Sequence, residues 1–166
     1  MKRLVIGFSI LAWFLLASPG DGAAQSTVTV RGKFQYAVKF VCGPTQAAGG
    51  GPSTGHYSTH VNIHNPGDHL TFAMKVATAN GSVSNFRAAT LGEDQADSVN
   101  CGGIHSIAGT GGGFLEGFLV IVTPKELDVT GLYTAEPSAG AGVTTLHTQV
   151  IQLRKLSLTV TAHLVP

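Results

Sequence analysis

Hydrophobic and polar residues alternate one by one along several stretches of the chain, which is the pattern of a β-strand with one buried and one exposed face. The longest stretch runs from Val28 to Cys42, where apolar side chains occupy most even positions and polar side chains most odd ones. The same alternation returns over 70–76 and 156–164. We predict that these three segments are strands that each bury one face.

A different stretch is apolar on both faces. From Phe114 to Val122, only Glu116 and Gly117 interrupt a run of apolar side chains, which is typical of a central strand covered on both sides. Further strands are predicted over 56–64, 127–134 and 144–153, and no amphipathic helix is predicted after residue 26. The chain is therefore predicted to be all-β, with eight or nine short strands. We expect an antiparallel β-sandwich of the immunoglobulin-like or jelly-roll type, with a barrel as the alternative.

The first segment of the chain has the features of an export signal. Lys2 and Arg3 precede an apolar run over 4–17, and Gly22 and Ala24 supply the small residues of a cleavage site. The run is shorter than the roughly 20 residues that a membrane-spanning helix needs. We predict a signal peptide helix over 1–24, a single domain over 25–166, and a periplasmic or secreted mature chain without a membrane span.

The charge of the chain narrows the choice of partners. The sequence has 10 Lys or Arg against 9 Asp or Glu, and charged residues make up only 11% of it. A nucleic-acid partner is not expected, because binding to phosphates needs a basic surface. The charges are also too sparse for long charged helices or an acidic disordered tail.

The two cysteines of the chain are Cys42 and Cys101. Their wide separation fits neither a CxxC redox motif nor a compact zinc site. Export would bring both thiols into an oxidising compartment, where they are driven to pair. We therefore predict a disulfide between Cys42 and Cys101 that joins the end of the first strand to the segment before the Phe114 strand.

Three histidines share one face of the predicted strand 56–64. His56, His60 and His64 alternate there with Ser58 and Asn62. Imidazoles are metal ligands, but residues four apart on a strand are separated by about 13 Å at Cα, which is too far for one shared ion. We interpret the segment as an exposed polar face. A metal site is the alternative, for which a second strand could supply a ligand from His69, His105 or His147.

The sequence contains no catalytic set that we recognise. It lacks a G-x-S-x-G nucleophile motif, and the predicted disulfide occupies both thiols. We interpret Glu93, Asp94 and Asp97 as acids that cover a loop or a sheet edge. Glu116 is interpreted as an outward-facing residue rather than a buried acid, because Glu is rarely buried. Neither an enzymatic activity nor a cofactor is predicted.

The segments YAVKFVCG, YSTHVNIHNPG and FLEGFLVIVTPKELDVTGLYTA resemble a pattern found in uncharacterised secreted bacterial β-sandwich proteins. The resemblance implies the fold and implies no activity. We therefore expect an exported, non-enzymatic binding or structural module that contacts protein or envelope components. Protein is preferred to sugar, because the chain has three tyrosines and its one tryptophan lies in the predicted signal peptide. The alternative is a periplasmic metal-binding protein or metalloenzyme that uses strand 56–64.

Overall fold

A computed structural model describes residues 26–45, 52–137 and 144–164. In this part of the chain the elements are β1 (Thr27–Thr45), β2 (Gly55–Asn65), β3 (Leu70–Thr78), β4 (Arg87–Leu91), β5 (Gln95–Asn100), α1 (Cys101–Ala108), β6 (Leu115–Thr123), β7 (Asp128–Pro137), β8 (Thr144–Val150) and β9 (Arg154–Leu164). The predicted all-β class is confirmed. The predicted signal peptide over 1–24 lies outside the described residues. None of the described helical structure has the length and hydropathy needed to cross a bilayer.

The strands form two groups of hydrogen-bonded neighbours, joined through β1. Sheet A contains β1, β3, β4, β6 and β9, and its pairings form a closed circuit in the order β1, β6, β3, β4, β9 and back to β1. Sheet B contains β2, β5, β7 and β8, and the last residues of β1 pair with β2 at its margin. One pairing departs from the predicted antiparallel arrangement, because β4 runs parallel to β9 over Arg87–Ala88.

The main apolar cluster contains residues of both sheets. Sheet A contributes Phe72 and the even positions of β1 over 36–42, and sheet B contributes Val61, Ile63 and Val129. All of these side chains are buried. The buried face that the alternation predicts for this half of β1 is therefore confirmed, and it packs against sheet B.

A second, smaller cluster covers the opposite face of β6. Its buried members are Val30, Ala73, Ala88, Val122, Val160 and Ala162. The consecutive residues Ile121 and Val122 belong to different clusters, so this half of β6 is covered on both faces, as the sequence predicts. The other half is not, because Phe118 is 45% exposed.

The prediction for β9 is confirmed only in part. Val160 and Ala162 are buried, whereas Leu158 and Leu164, which share their parity, are 45% and 43% exposed. The register between β9 and β1 shifts just beyond the pair Gly32 and Leu158. The buried face of β9 is therefore limited to the middle of the strand.

The sequence analysis did not predict three elements, β4, β5 and α1. β4 has only five residues, and β5 is polar because it lies at a sheet edge. The helix α1 contains Gly102 and Gly103, which are poor helix formers. It forms because the Asn100 side chain accepts a 3.0 Å hydrogen bond from the Gly103 N–H and because Ile104 and Ile107 enter the main cluster.

Candidate functional site

A cavity of about 330 Å³ lies between β1 and the inner surface of sheet B. Its walls include Val41 of β1, Tyr57 of β2, Tyr133 of β7, and His147 and Gln149 of β8. The register of sheet B brings these rings together, because Tyr133 pairs with Thr59 on one side and with His147 on the other. Three neighbouring strands thus build one wall of the cavity.

This wall is largely aromatic. The rings of Tyr133 and His147 stack with their centroids 6.3 Å apart and their planes 16° from parallel. The Tyr57 hydroxyl donates a 2.9 Å hydrogen bond to the Ser53 carbonyl, which holds its ring in position. Stacked rings and an apolar side chain at Val41 form a surface suited to an aromatic or other apolar group.

The Tyr133 side chain of this wall also carries a buried polar atom that lacks a partner among the described residues. The Tyr133 hydroxyl is buried and makes no hydrogen bond within the described residues, and burial raises the pKa of this phenol. Gly131 makes room for the hydroxyl, because a Cβ at that position would lie 2.9 Å from its oxygen. Burying a hydroxyl without a hydrogen bond is unfavourable and uncommon. A water or a bound molecule that reached this atom would remove that cost.

An ion pair lies beside the cavity. The Lys39 ammonium, on a residue of the cavity wall, pairs with the Glu116 carboxylate and lies 5.9 Å from the centroid of the Phe118 ring. The Glu116 side chain is partly exposed. The structure therefore places Glu116 as an outward-facing residue with a cationic partner, in agreement with its interpretation from the sequence.

The histidine-rich strand lies where the sequence predicts it. His56 and His60 are exposed on the outer face of β2, and His64 on the same face is partly buried. No group of three His, Cys, Asp or Glu side chains in the described ranges is placed to hold a metal ion. Of the possible second-strand ligands, His147 stacks on Tyr133 at the other face of the sheet, and His105 is bonded to Thr110. The metal-binding alternative stays a hypothesis.

His64 lies between two carboxylates. Its Nδ1 is 3.0 Å from Asp128 Oδ2, and its Nε2 is 2.9 Å from Asp94 Oδ1. Hydrogen bonds to Asp128 first and Asp94 second raise the pKa of the imidazole. Both ring nitrogens are therefore engaged, and the imidazole links β2 to β7 and to the turn between β4 and β5. Sequence analysis missed this arrangement because only the sheet register brings these residues together.

The predicted disulfide is confirmed. Cys42 and Cys101 are bonded, with their Cα atoms 5.5 Å apart. The bridge ties the buried end of β1 to the first residue of α1. The acids Glu93 and Asp94 lie in the turn before β5, and Asp97 lies in β5 itself, so the interpretation of a loop and a sheet edge agrees with their positions.

Comparisons of the chain with protein-family models, with curated proteins and with solved structures found no match. The chemistry of the cavity must therefore be inferred from its own residues. These offer apolar and aromatic surface, the Gln149 amide, and the Lys39 ammonium with its partner Glu116 at the margin. Such a combination is typical of a binding pocket.

Proposed function

We propose that this protein is an exported, non-enzymatic binding module and that the cavity beside Tyr57, Tyr133 and His147 is its binding site. The observation that carries the proposal is the aromatic wall of the cavity, in which the stacked rings of Tyr133 and His147 lie beside Tyr57. Small-molecule pockets occupy about 300–1,000 Å³ and combine apolar walls with a few polar groups. The cavity of about 330 Å³ fits the lower end of that range.

An aromatic side chain of a partner protein is the ligand that this cavity favours. Aromatic rings prefer offset or edge-to-face contacts at centroid distances of about 4.5–7 Å, and Tyr57, Tyr133 and His147 offer three rings. Aromatic anchors that fill such pockets dominate the affinity of many protein interfaces. Gln149 and the ion pair of Lys39 can bond the polar groups beside the anchor.

The location and the fold type are parts of the same proposal. A disulfide such as that between Cys42 and Cys101 is typical of extracytoplasmic compartments, and the sequence over 1–24 is typical of a signal peptide. We infer a sandwich-like packing of sheet B against the β1 side of the closed sheet A, because both sheets contribute to one shared core cluster. N-terminal sequencing of the exported protein should begin near Gln25, whereas an intact Met1 in the cytoplasmic fraction would contradict export.

The binding site can be tested with a mimic of an aromatic side chain. N-acetyl-tryptophanamide, titrated into ¹⁵N-labelled exported protein, should shift the backbone amide signals of Tyr57, Tyr133 and His147 with a dissociation constant of roughly 1–10 mM. Tyr57→Ala should weaken this binding by about fivefold or more because it removes one ring from the wall. Phe114→Ala is the matched control, since Phe114 is an exposed ring outside the cavity wall.

Two outcomes would contradict the site: shifts that scatter over the surface, or equal affinity of the Tyr57→Ala variant and the native chain. The class of ligand is tested separately, by a pull-down from envelope extract beside a glycan array. An identified protein captured by the native chain and lost with Tyr57→Ala supports a protein partner. Glycan binding without protein capture overturns that preference.

A further inference from the structure

Sheet B has two edges that differ in charge. In the described part of the chain, β5 at one edge pairs only with β2, and β8 at the other edge pairs only with β7. β5 carries Asp97, and the turn that leads into it carries Glu93 and Asp94. β8 contains no Asp, Glu, Lys or Arg, and the next charged residue after it is Arg154.

The difference matters because an edge strand presents unpaired backbone N–H and C=O groups that can pair with another strand. Charged side chains are a common protection against such pairing, and they are present at the β5 edge. At the β8 edge, residues 147–150 are exposed and include no Asp, Glu, Lys or Arg, and Val150 reaches 75% exposure. Within the described residues, the β8 edge is therefore open to a further strand.

We propose that β8 pairs antiparallel with β8 of a second copy of this chain. Antiparallel pairing of identical strands satisfies two-fold symmetry, and an uncharged strand places no like charges opposite each other. The register between β7 and β8 shifts at Tyr133 and Thr134, next to the pair of Tyr133 with His147. The regular part of the edge is therefore 147–150, and the two-fold axis passes near its centre.

The charges also limit the size of the assembly. Pairing through β8 uses the open edge of each copy, and the edges that remain are the β5 edges with their acidic residues. Those edges repel one another. The product is a closed dimer rather than a filament.

The dimer would bring the two cavities close together. His147 and Gln149 line the cavity and belong to β8, so the strand that forms the interface is also part of each cavity wall. The inference does not depend on the proposed ligand. Tyr57→Ala, which should weaken ligand binding, should leave dimer formation unchanged.

Sedimentation velocity of the exported protein over a range of concentrations tests the dimer directly. The native chain should show a monomer–dimer equilibrium. Replacing both Thr148→Lys and Val150→Lys should weaken the dimer by about tenfold or more, because the added charges face their symmetry mates across the new strand pair. Asn62→Lys is the matched control, since Asn62 is exposed on the same face of sheet B but lies in the interior strand β2.

Charge complementation separates a specific loss of pairing from a damaged fold. The double variant Thr148→Glu with Val150→Glu should also be monomeric, and mixing it with the lysine variant should restore dimers. A native chain that stays monomeric up to about 1 mM would overturn the proposal. Unchanged self-association of the lysine variant, or a mixture that stays monomeric, would overturn it as well.

Discussion

Two buried tyrosine hydroxyls show how differently two regions of the molecule are built: one bonds Leu127, just before β7, and the other belongs to Tyr133 within β7. The Tyr36 hydroxyl donates to the Leu127 carbonyl at 2.7 Å and accepts from the Leu127 N–H at 2.8 Å. The Tyr133 hydroxyl is buried without a partner within the described residues. Burial raises the pKa of both phenols, and for Tyr36 the backbone hydrogen bond to Leu127 opposes that rise.

The contrast distinguishes a phenol that bonds the backbone from one whose ring lines a cavity and whose hydroxyl bonds nothing in the described residues. Tyr36 satisfies both backbone groups of Leu127 and lies in the main cluster with Cys42, so its removal should damage the fold. The Tyr133 ring lines a cavity, whereas its hydroxyl is buried and has no partner within the described residues, so removal of the hydroxyl should matter little for stability. We call the surroundings of Tyr36 and Leu127 the closed region and the surroundings of Tyr133 the open region.

The largest expected effect is in the closed region, at the disulfide. Replacing Cys42 and Cys101 together by Ala opens a loop with a sequence separation of 59, for which the chain-entropy model gives about 4 kcal/mol. The melting temperature should fall by many degrees, while the β signature in circular dichroism persists at low temperature. Alkylation of the native protein, purified without reductant, should add nothing to its mass. Two added alkyl groups would show free thiols.

Tyr36→Phe should have the next largest effect. The substitution leaves the N–H and the C=O of Leu127 without their partner in a buried site, which costs about 1–3 kcal/mol. Urea denaturation should show a lower midpoint with an unchanged slope. An unchanged midpoint would mean that the closed region does not depend on this hydroxyl.

Tyr133→Phe should change stability by less than about 0.5 kcal/mol, or increase it, because no protein hydrogen bond is lost. The same urea experiment measures it, with Tyr36→Phe as the reference. A loss as large as that of Tyr36→Phe would show that the hydroxyl has a partner and would remove the distinction between the two regions.

The smallest effect concerns His64, whose ring nitrogens are both satisfied but on the outer face of sheet B. Its pKa is raised above the ordinary value of about 6.5, so its contribution to stability is present below that pH and is lost as the pH rises through the raised pKa. The native chain should therefore exceed His64→Gln in stability most clearly near pH 5.5 and should lose that advantage in alkaline solution.

Nuclear magnetic resonance can follow the His64 ring directly. Its titration midpoint should lie above about 6.5. Asp128→Asn should lower the midpoint more than Asp94→Asn, because the hydrogen bond to Asp128 makes the larger contribution to the raised pKa. A native midpoint at or below the ordinary value, or the opposite order of the two variants, would contradict the arrangement.

Strand positions were predictable where they depend only on the alternation of side chains within the strand itself. Alternation along Val28–Cys42 and the apolar run to Val122 reflect side-chain periodicity, which the sequence displays directly. The helix α1 was not predictable in this way, because it depends on a cap at Asn100 and on burial of two isoleucines against distant strands. The strand β5 is polar at an edge, so its sequence is typical of a loop.

The candidate site was less predictable than the fold. Tyr133 and His147 meet only through the register of β7 and β8, which contains an irregularity that no local pattern indicates. The hydrogen bonds of His64 to Asp94 and Asp128 also depend on strand register and not on a local pattern. The disulfide was predictable because the chain has two cysteines and its sequence predicts export, which leaves one intramolecular pairing in an oxidising compartment.

The closed circuit of sheet A has a consequence for the order of folding. Synthesis proceeds from the N-terminus, so β1 is the first of the described strands to emerge and β9, which pairs with it over 154–163, is the last. Until β9 arrives, the first half of β1 has an unpaired margin and the second apolar cluster lacks Val160 and Ala162. Pairing between such distant segments is slow. Before β9 is synthesised, the nascent chain therefore exposes an unpaired strand margin and apolar surface that favour aggregation. A chaperone would protect the chain most at this stage.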